Sequence, residues 1–106
     1  MNKSDDVKSQ FKTDEDNNPT GGETTSTGLQ INWQDGIIAG GRNGAFVEDV
    51  ITAAIQRLEF FNSTKFRCRE NSLAITKLEE ALHWLDHRTN SRQAQGVENS
   101  YEVHKD

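Results

Sequence analysis

Arg88 and Arg92 are the residues of this sequence with the most to offer a ligand. They stand one helical turn apart, and neither has an Asp or Glu three or four positions away to neutralise it. Two unneutralised guanidiniums so placed call for an anion. The anion must come from outside their own helix, or the pair sits in water. Glu80-x-x-His83 has the spacing of di-metal carboxylate bundles, and His83 and His87 lie one turn apart. Only one such set exists, whereas the di-metal design repeats it, so these residues read as a solvated helix surface and no metal is assigned. Cys68 stands at a helix entry between Arg67 and Arg69, but no base is placed near it by the sequence. A half-buried thiol is the better reading there. With no Ser/His/Asp elbow and no paired-acid arrangement, the sequence assigns no catalytic residue and no cofactor, and it disfavours an enzyme.

The elements that must position the arginines follow from hydrophobic spacing. Leu73, Ala74, Leu78, Ala81, Leu82 and Leu85 recur at steps of three and four, which predicts a long amphipathic helix over about 67–93. Arg88 and Arg92 continue that stripe. An earlier helix is predicted over about 45–61, with Asn43 or Gly44 near its start and Glu48 and Asp49 in the first turn, where acids favour the dipole. Its buried face comprises Val47, Val50, Ile51, Ala54, Ile55, Leu58 and Phe61. The link between the helices is short enough to fold them back antiparallel. At about 1.5 Å per residue the first helix is roughly 25 Å long and the second roughly 39 Å. Pairing them outward from the link puts the start of the first opposite about His83, so Trp84 to Arg92 should overhang.

Ahead of the helices, Leu29, Ile31 and Trp33 alternate with polar residues, the period of a half-buried strand. Asp35-Gly36 is a turn signal leading to Ile37-Ile38, so one or two short strands are expected. The following glycine-rich stretch is not a phosphate-binding P-loop, since it lacks the terminal Gly-Lys-Ser/Thr. Arg42 within it either reaches an anion or is a turn arginine in solvent.

Composition sets the limits. Residues 1–28 hold few strong hydrophobes among acids, amides, Ser, Thr and Gly, and should form a disordered acidic tail, with the ordered domain at 29–106. Only 32% of the 106 residues are apolar, so a self-sufficient core is difficult and the domain is expected to be completed by copies of itself. The fold class is therefore mainly α: an antiparallel two-helix hairpin preceded by one or two short strands, in a homo-oligomer. A net charge of −5 argues against nucleic acid as a partner, and Glu79, Glu80 and Asp86 would oppose a DNA-reading helix. No apolar run approaches the roughly 20 residues of a membrane span, and no signal peptide is seen. The single cysteine suits a reduced, cytoplasmic setting. A structural hairpin protein with no small ligand is the bland alternative.

From Ile31 onward the chain resembles a family of phage proteins. The likeness is most specific at Cys68-Arg69-Glu70-Asn71, at Glu79-Glu80-Ala81-Leu82-His83-Trp84-Leu85 and at Gly96-Val97-Glu98. The family comprises the hairpin-domain sponges of Thoeris anti-defence and anti-CBASS. It implies a non-enzymatic protein in the host bacterial cytoplasm, assembled as dimers and often as hexamers. Such a protein sequesters cyclic nucleotide messengers, including cyclic ADP-ribose isomers and cyclic di- and trinucleotides. Carried over by position, the ADP-ribose-type pocket would use Phe61 to stack a base, Asn71 to hydrogen-bond ligand edges, and Arg88 with Arg92 to hold the pyrophosphate. Asn71 and Arg88 are about 17 helical residues, roughly 25 Å, apart, so only two antiparallel hairpins could bring these residues to one ligand. A second, trinucleotide pocket in the family uses a turn reading Arg-Gly-Val-Glu-Gly-Thr. Here Gln95, Gly96, Val97, Glu98, Asn99 and Ser100 stand in its place. Gln95 removes the positive charge and Asn99 replaces a glycine, which argues against tight trinucleotide binding, although Ser100 keeps the hydroxyl.

Overall fold

The computed structural model describes residues 3–37 and 41–95, which fall into two compact units, one ending at Phe46 and the other beginning at Val47. The first unit is a three-stranded antiparallel sheet in the order β1-β2-β3, formed by β1 (Lys8–Thr13), β2 (Pro19–Ser26) and β3 (Leu29–Asn32). Two of these strands lie inside residues 1–28, where composition had led us to expect disorder. That expectation is corrected by the turns and the backbone ladder. The Asp14 carboxylate accepts the backbone N–H groups of Asp16 and Asn18, both at 2.9 Å, while Asn17 takes a positive φ of 62°. This closes the β1–β2 turn by side-chain chemistry. At the other end, the Asp6 carboxylate accepts the Thr27 N–H at 3.1 Å, beside the Thr27-Gly28 turn into β3.

Residues paired across a sheet share a face. Ser9 pairs with Thr24, and Thr24 with Ile31, so Phe11 and Trp33, two positions further along, lie on that face as well. The Trp33 Nε1–H donates to Thr24 Oγ1 at 2.8 Å, and the Thr24 and Ser9 hydroxyls are 2.7 Å apart. Thr24 and Ile31 are the most enclosed of the described residues of this unit. The expected strand at Leu29–Trp33 is present as β3. Of the second expected strand, Ile37 is irregular and Ile38 lies outside the described residues. Trp33 instead makes an isolated bridge to Ala45. Asn43 does not cap a helix; its side chain accepts the Asp35 N–H at 2.8 Å and donates to the Asp35 carbonyl at 2.9 Å.

The second unit is the helical hairpin, α1 (Val47–Asn62) and α2 (Arg69–Gln95). Both helices match their expected spans to within two residues at each end. Glu48 and Asp49 occupy the first turn of α1 as anticipated. The antiparallel packing has a side-chain contact at each end: Asn62 Nδ2 donates to Ser72 Oγ at 3.1 Å near the link, and Arg88 meets Glu48 near the far end. That second contact corrects the pairing, because α1 begins opposite about Arg88 rather than His83. The six-residue link includes its own turn, which moves the register by more than a helical turn. The overhang therefore starts beyond Arg88. Among the described residues, Ile55 is the one residue of α1 that is buried, and no side chain of α2 is. Val47 and Leu73, placed on buried faces by their spacing, are 49% and 46% exposed.

Candidate ligand-binding site

The hairpin tip carries Phe60, Phe61 and Asn62 at the end of α1 and Asn71 in the first turn of α2. A run of local hydrogen bonds holds it. The Ser63 and Thr64 hydroxyls donate to the carbonyls of Phe60 and Phe61, each at 2.6 Å, and the Phe66 N–H returns to Thr64 Oγ1 at 3.1 Å. Asn62 Oδ1 accepts the Cys68 N–H at 3.3 Å, so one amide spans from the end of α1 to the entry of α2. Such side-chain links satisfy backbone groups that helix ends leave unpaired. Cys68, expected to be half-buried, is exposed, because it precedes α2 with its carbonyl accepting the Ser72 N–H while its side chain faces water.

Phe61 and Asn71 are both half-buried at this end. The Phe60 and Phe61 ring centroids are 6.0 Å apart at an interplanar angle of 56°. Over both stands a cation that the sequence reading did not single out. The Arg57 guanidinium lies 4.7 Å from the Phe61 ring centroid and 5.1 Å from that of Phe60. The signal was present, since Arg57 precedes the two phenylalanines by three and four positions, the helical-neighbour spacing.

Arg88 and Arg92 belong to the opposite end of the hairpin. Arg88 Nη2 lies 3.9 Å from Glu48 Oε2, with the two side chains 51% and 30% exposed. The anion expected from outside the helix is thus supplied by α1, but at the limit of an ion pair and partly in water, where such contacts contribute about 0–1 kcal/mol. Arg92, in the last turn of α2, is half-buried and also has a partner of its own. From Asn71 to Arg88 along α2 is about 25 Å at ~1.5 Å per residue. One hairpin therefore does not bring its tip and its arginines to the same small molecule.

The remaining candidates fall elsewhere. Arg42 belongs to the sheet unit, where its Nε donates to the Gly44 carbonyl at 3.2 Å and its guanidinium lies 4.9 Å from the Phe46 ring centroid. Gln95 ends α2, and Gly96, Val97 and Ser100 lie outside the described residues. Glu80 pairs with Lys77 at 3.7 Å, while His83 and His87 meet the exposed Trp84 ring edge-on, at 5.8 and 5.9 Å. Among the described residues no group of three or more His, Cys, Asp or Glu is poised to hold a metal ion. Among them, too, no helix is long and apolar enough to cross a membrane.

Residues 26–90 match the family described as Acb2/Tad1, hairpin domain. The match includes Phe61, Asn71 and Arg88 and stops two residues before Arg92. The chain is also similar to "Thoeris anti-defense 1" of Bacillus phage SBSphiJ7, with 49% identity over 73 residues, 68% of this chain and 51% of the relative. It thus spans about half the length of the curated relative it matches. On the extent of these likenesses and the hairpin that carries them, the chain belongs to the Acb2/Tad1 hairpin-domain family.

Proposed function

We propose that this chain is a phage anti-defence protein that binds cyclic nucleotide messengers without cleaving them. Working in the host bacterial cytoplasm, it withholds them from Thoeris and CBASS effectors. The observation that carries the reading is the family match over the hairpin, which spans Phe61, Asn71 and Arg88. In this reading Phe61 stacks a base, Asn71 hydrogen-bonds ligand edges, and Arg88 with Arg92 grips the pyrophosphate of a cyclic ADP-ribose isomer. Glu48 is a weak competitor for Arg88, because a phosphate oxygen offers a shorter, fully charge-assisted bond than a carboxylate at 3.9 Å. Arg42, in the sheet unit, is a further phosphate-reaching candidate. Gln95, Gly96, Val97 and Ser100 would line a weaker trinucleotide pocket.

The pocket needs two hairpins lying antiparallel, the tip of one beside the arginines of the next. Burial supports self-association. Among the described residues no side chain is fully buried, and Phe60, Phe66 and Trp84 are 53%, 64% and 61% exposed. Large apolar groups left in water on a small chain favour covering by another copy. Two copies suffice for the pocket, and six would repeat it.

Isothermal titration with cyclic ADP-ribose isomers and with cyclic di- and trinucleotides tests the reading. Binding tighter than about micromolar is expected for at least one of them. Replacing both Arg88 and Arg92 with Ala should weaken it roughly 100-fold or more, since each charge-assisted contact contributes about 1.5–3 kcal/mol. Heating the complex should release the ligand chemically intact, which separates sequestration from cleavage. If none of these ligands binds, the proposal is wrong.

A further inference from the structure

We infer that Arg57 is a ligand-contact residue of the hairpin tip, holding a nucleobase between its guanidinium and the Phe61 ring. The inference rests on the binding reading above and adds to it a cation from the same helix as Phe61. Arg57 is exposed, Phe61 is half-buried, and the guanidinium lies 4.7 Å from the ring centroid, so it stands on the solvent side of the ring. Among the described residues, the partners of that guanidinium are the two phenylalanine rings and no carboxylate. It can therefore move without breaking an ion pair.

A base entering between the two groups needs contacts of about 3.5 Å on each side, so the guanidinium must withdraw by roughly 2–3 Å. That displacement is within the rotamer freedom of an exposed arginine. The resulting layers are phenyl, base and guanidinium. Each adjacent pair is favourable, through aromatic stacking on one side and planar cation–π stacking on the other. A lysine would keep the charge but not the flat surface. Phe60, tilted by 56° against Phe61, walls the side of the slot.

The test uses the intact chain in titrations with the cyclic ADP-ribose isomer that binds best. Arg57→Ala and Arg57→Lys should each weaken binding about 5- to 30-fold, about 1–2 kcal/mol at 1.4 kcal/mol per tenfold. Helicity and melting should be unchanged, as befits an exposed site. Wild-type affinity in Arg57→Ala overturns the inference. Wild-type affinity in Arg57→Lys also overturns it, because charge alone would then be sufficient. Phe61→Ala serves as the control on the site itself. If the wild type binds and Phe61→Ala does not, while both Arg57 variants bind normally, the sequestration reading stands and this inference falls. If the wild type binds no nucleotide at all, both fall together.

Discussion

Glu48 sets the resting state of Arg88. At 3.9 Å, with half of the arginine side chain in water, the contact orients the guanidinium without holding it firmly. In the proposed binding mode, a ligand phosphate must replace Glu48 or share the cation with it. Glu48→Gln removes the competing charge, so it should tighten phosphate-ligand binding by up to about fivefold, the scale of an exposed ion pair. Titration of that variant at two salt concentrations checks this, and unchanged or weaker binding would show that Glu48 does not compete. At this scale the sequence was only half legible. The absence of an intrahelical partner for Arg88 could be read from the spacing alone, yet its partner on α1 could not, because that pairing depends on how many residues the link consumes. Arg57 is the converse case. Its spacing to Phe60 and Phe61 was in plain view, but an arginine beside an apolar face reads as ordinary surface until its guanidinium is seen above the rings.

The hairpin and the sheet differ in what makes them readable. Apolar residues at steps of three and four announce α1 and α2 directly, since burial of one stripe is what stabilises such helices. Strands β1 and β2 carry little apolar surface, and their order comes from backbone pairing and turn chemistry that composition does not register. Gly22 illustrates the point. Its φ is +125°, and a Cβ there would collide with the Gln10 carbonyl oxygen and come within 2.9 Å of the Phe11 Cα. Gly22→Ala should therefore loosen β1 from β2 at a cost on the order of 2 kcal/mol, read as lost amide-exchange protection over residues 8–26. The β1–β2 turn adds a pH dependence. Hydrogen bonds from the Asn18 backbone N–H and, more weakly, from the Asn18 side chain and the Asp16 N–H hold the Asp14 carboxyl below its ordinary value of 3.8. The Thr27 N–H does the same for Asp6. A carboxyl lowered on folding stabilises the folded form above its unfolded pKa, and that contribution is lost as pH falls through the lower, folded value. Protection of the sheet should accordingly decline on acidification below about pH 3.8, and Asp14→Asn should flatten that decline. An identical acid response in the variant would place the titration elsewhere.

Taken whole, the single chain is under-buried. Among the described residues the most enclosed apolar ones, Ile31 and Ile55, are still 9% and 8% exposed, and the hairpin presents Leu73 and Trp84 to water. The proposed pocket adds a separate constraint, since tip and arginines are about 25 Å apart in one copy. Both are met if copies associate with opposite ends adjacent, and a mixing experiment isolates the second. In the proposed pocket, Phe61→Ala removes the tip half and the Arg88→Ala, Arg92→Ala double variant removes the arginine half. Neither variant alone should bind a cyclic ADP-ribose isomer. In a two-fold dimer of one copy of each, one pocket collects both damaged halves and the other collects the intact tip of the double variant and the intact arginines of the Phe61 variant. Equal, randomly exchanged mixtures place half of the molecules in such mixed dimers, so about a quarter of the wild-type sites should return at wild-type affinity. Titration stoichiometry after co-refolding reads this directly. No recovery, with mixed assemblies confirmed by mass, would mean that each pocket is built within one chain, and the antiparallel arrangement of hairpins would have to be abandoned.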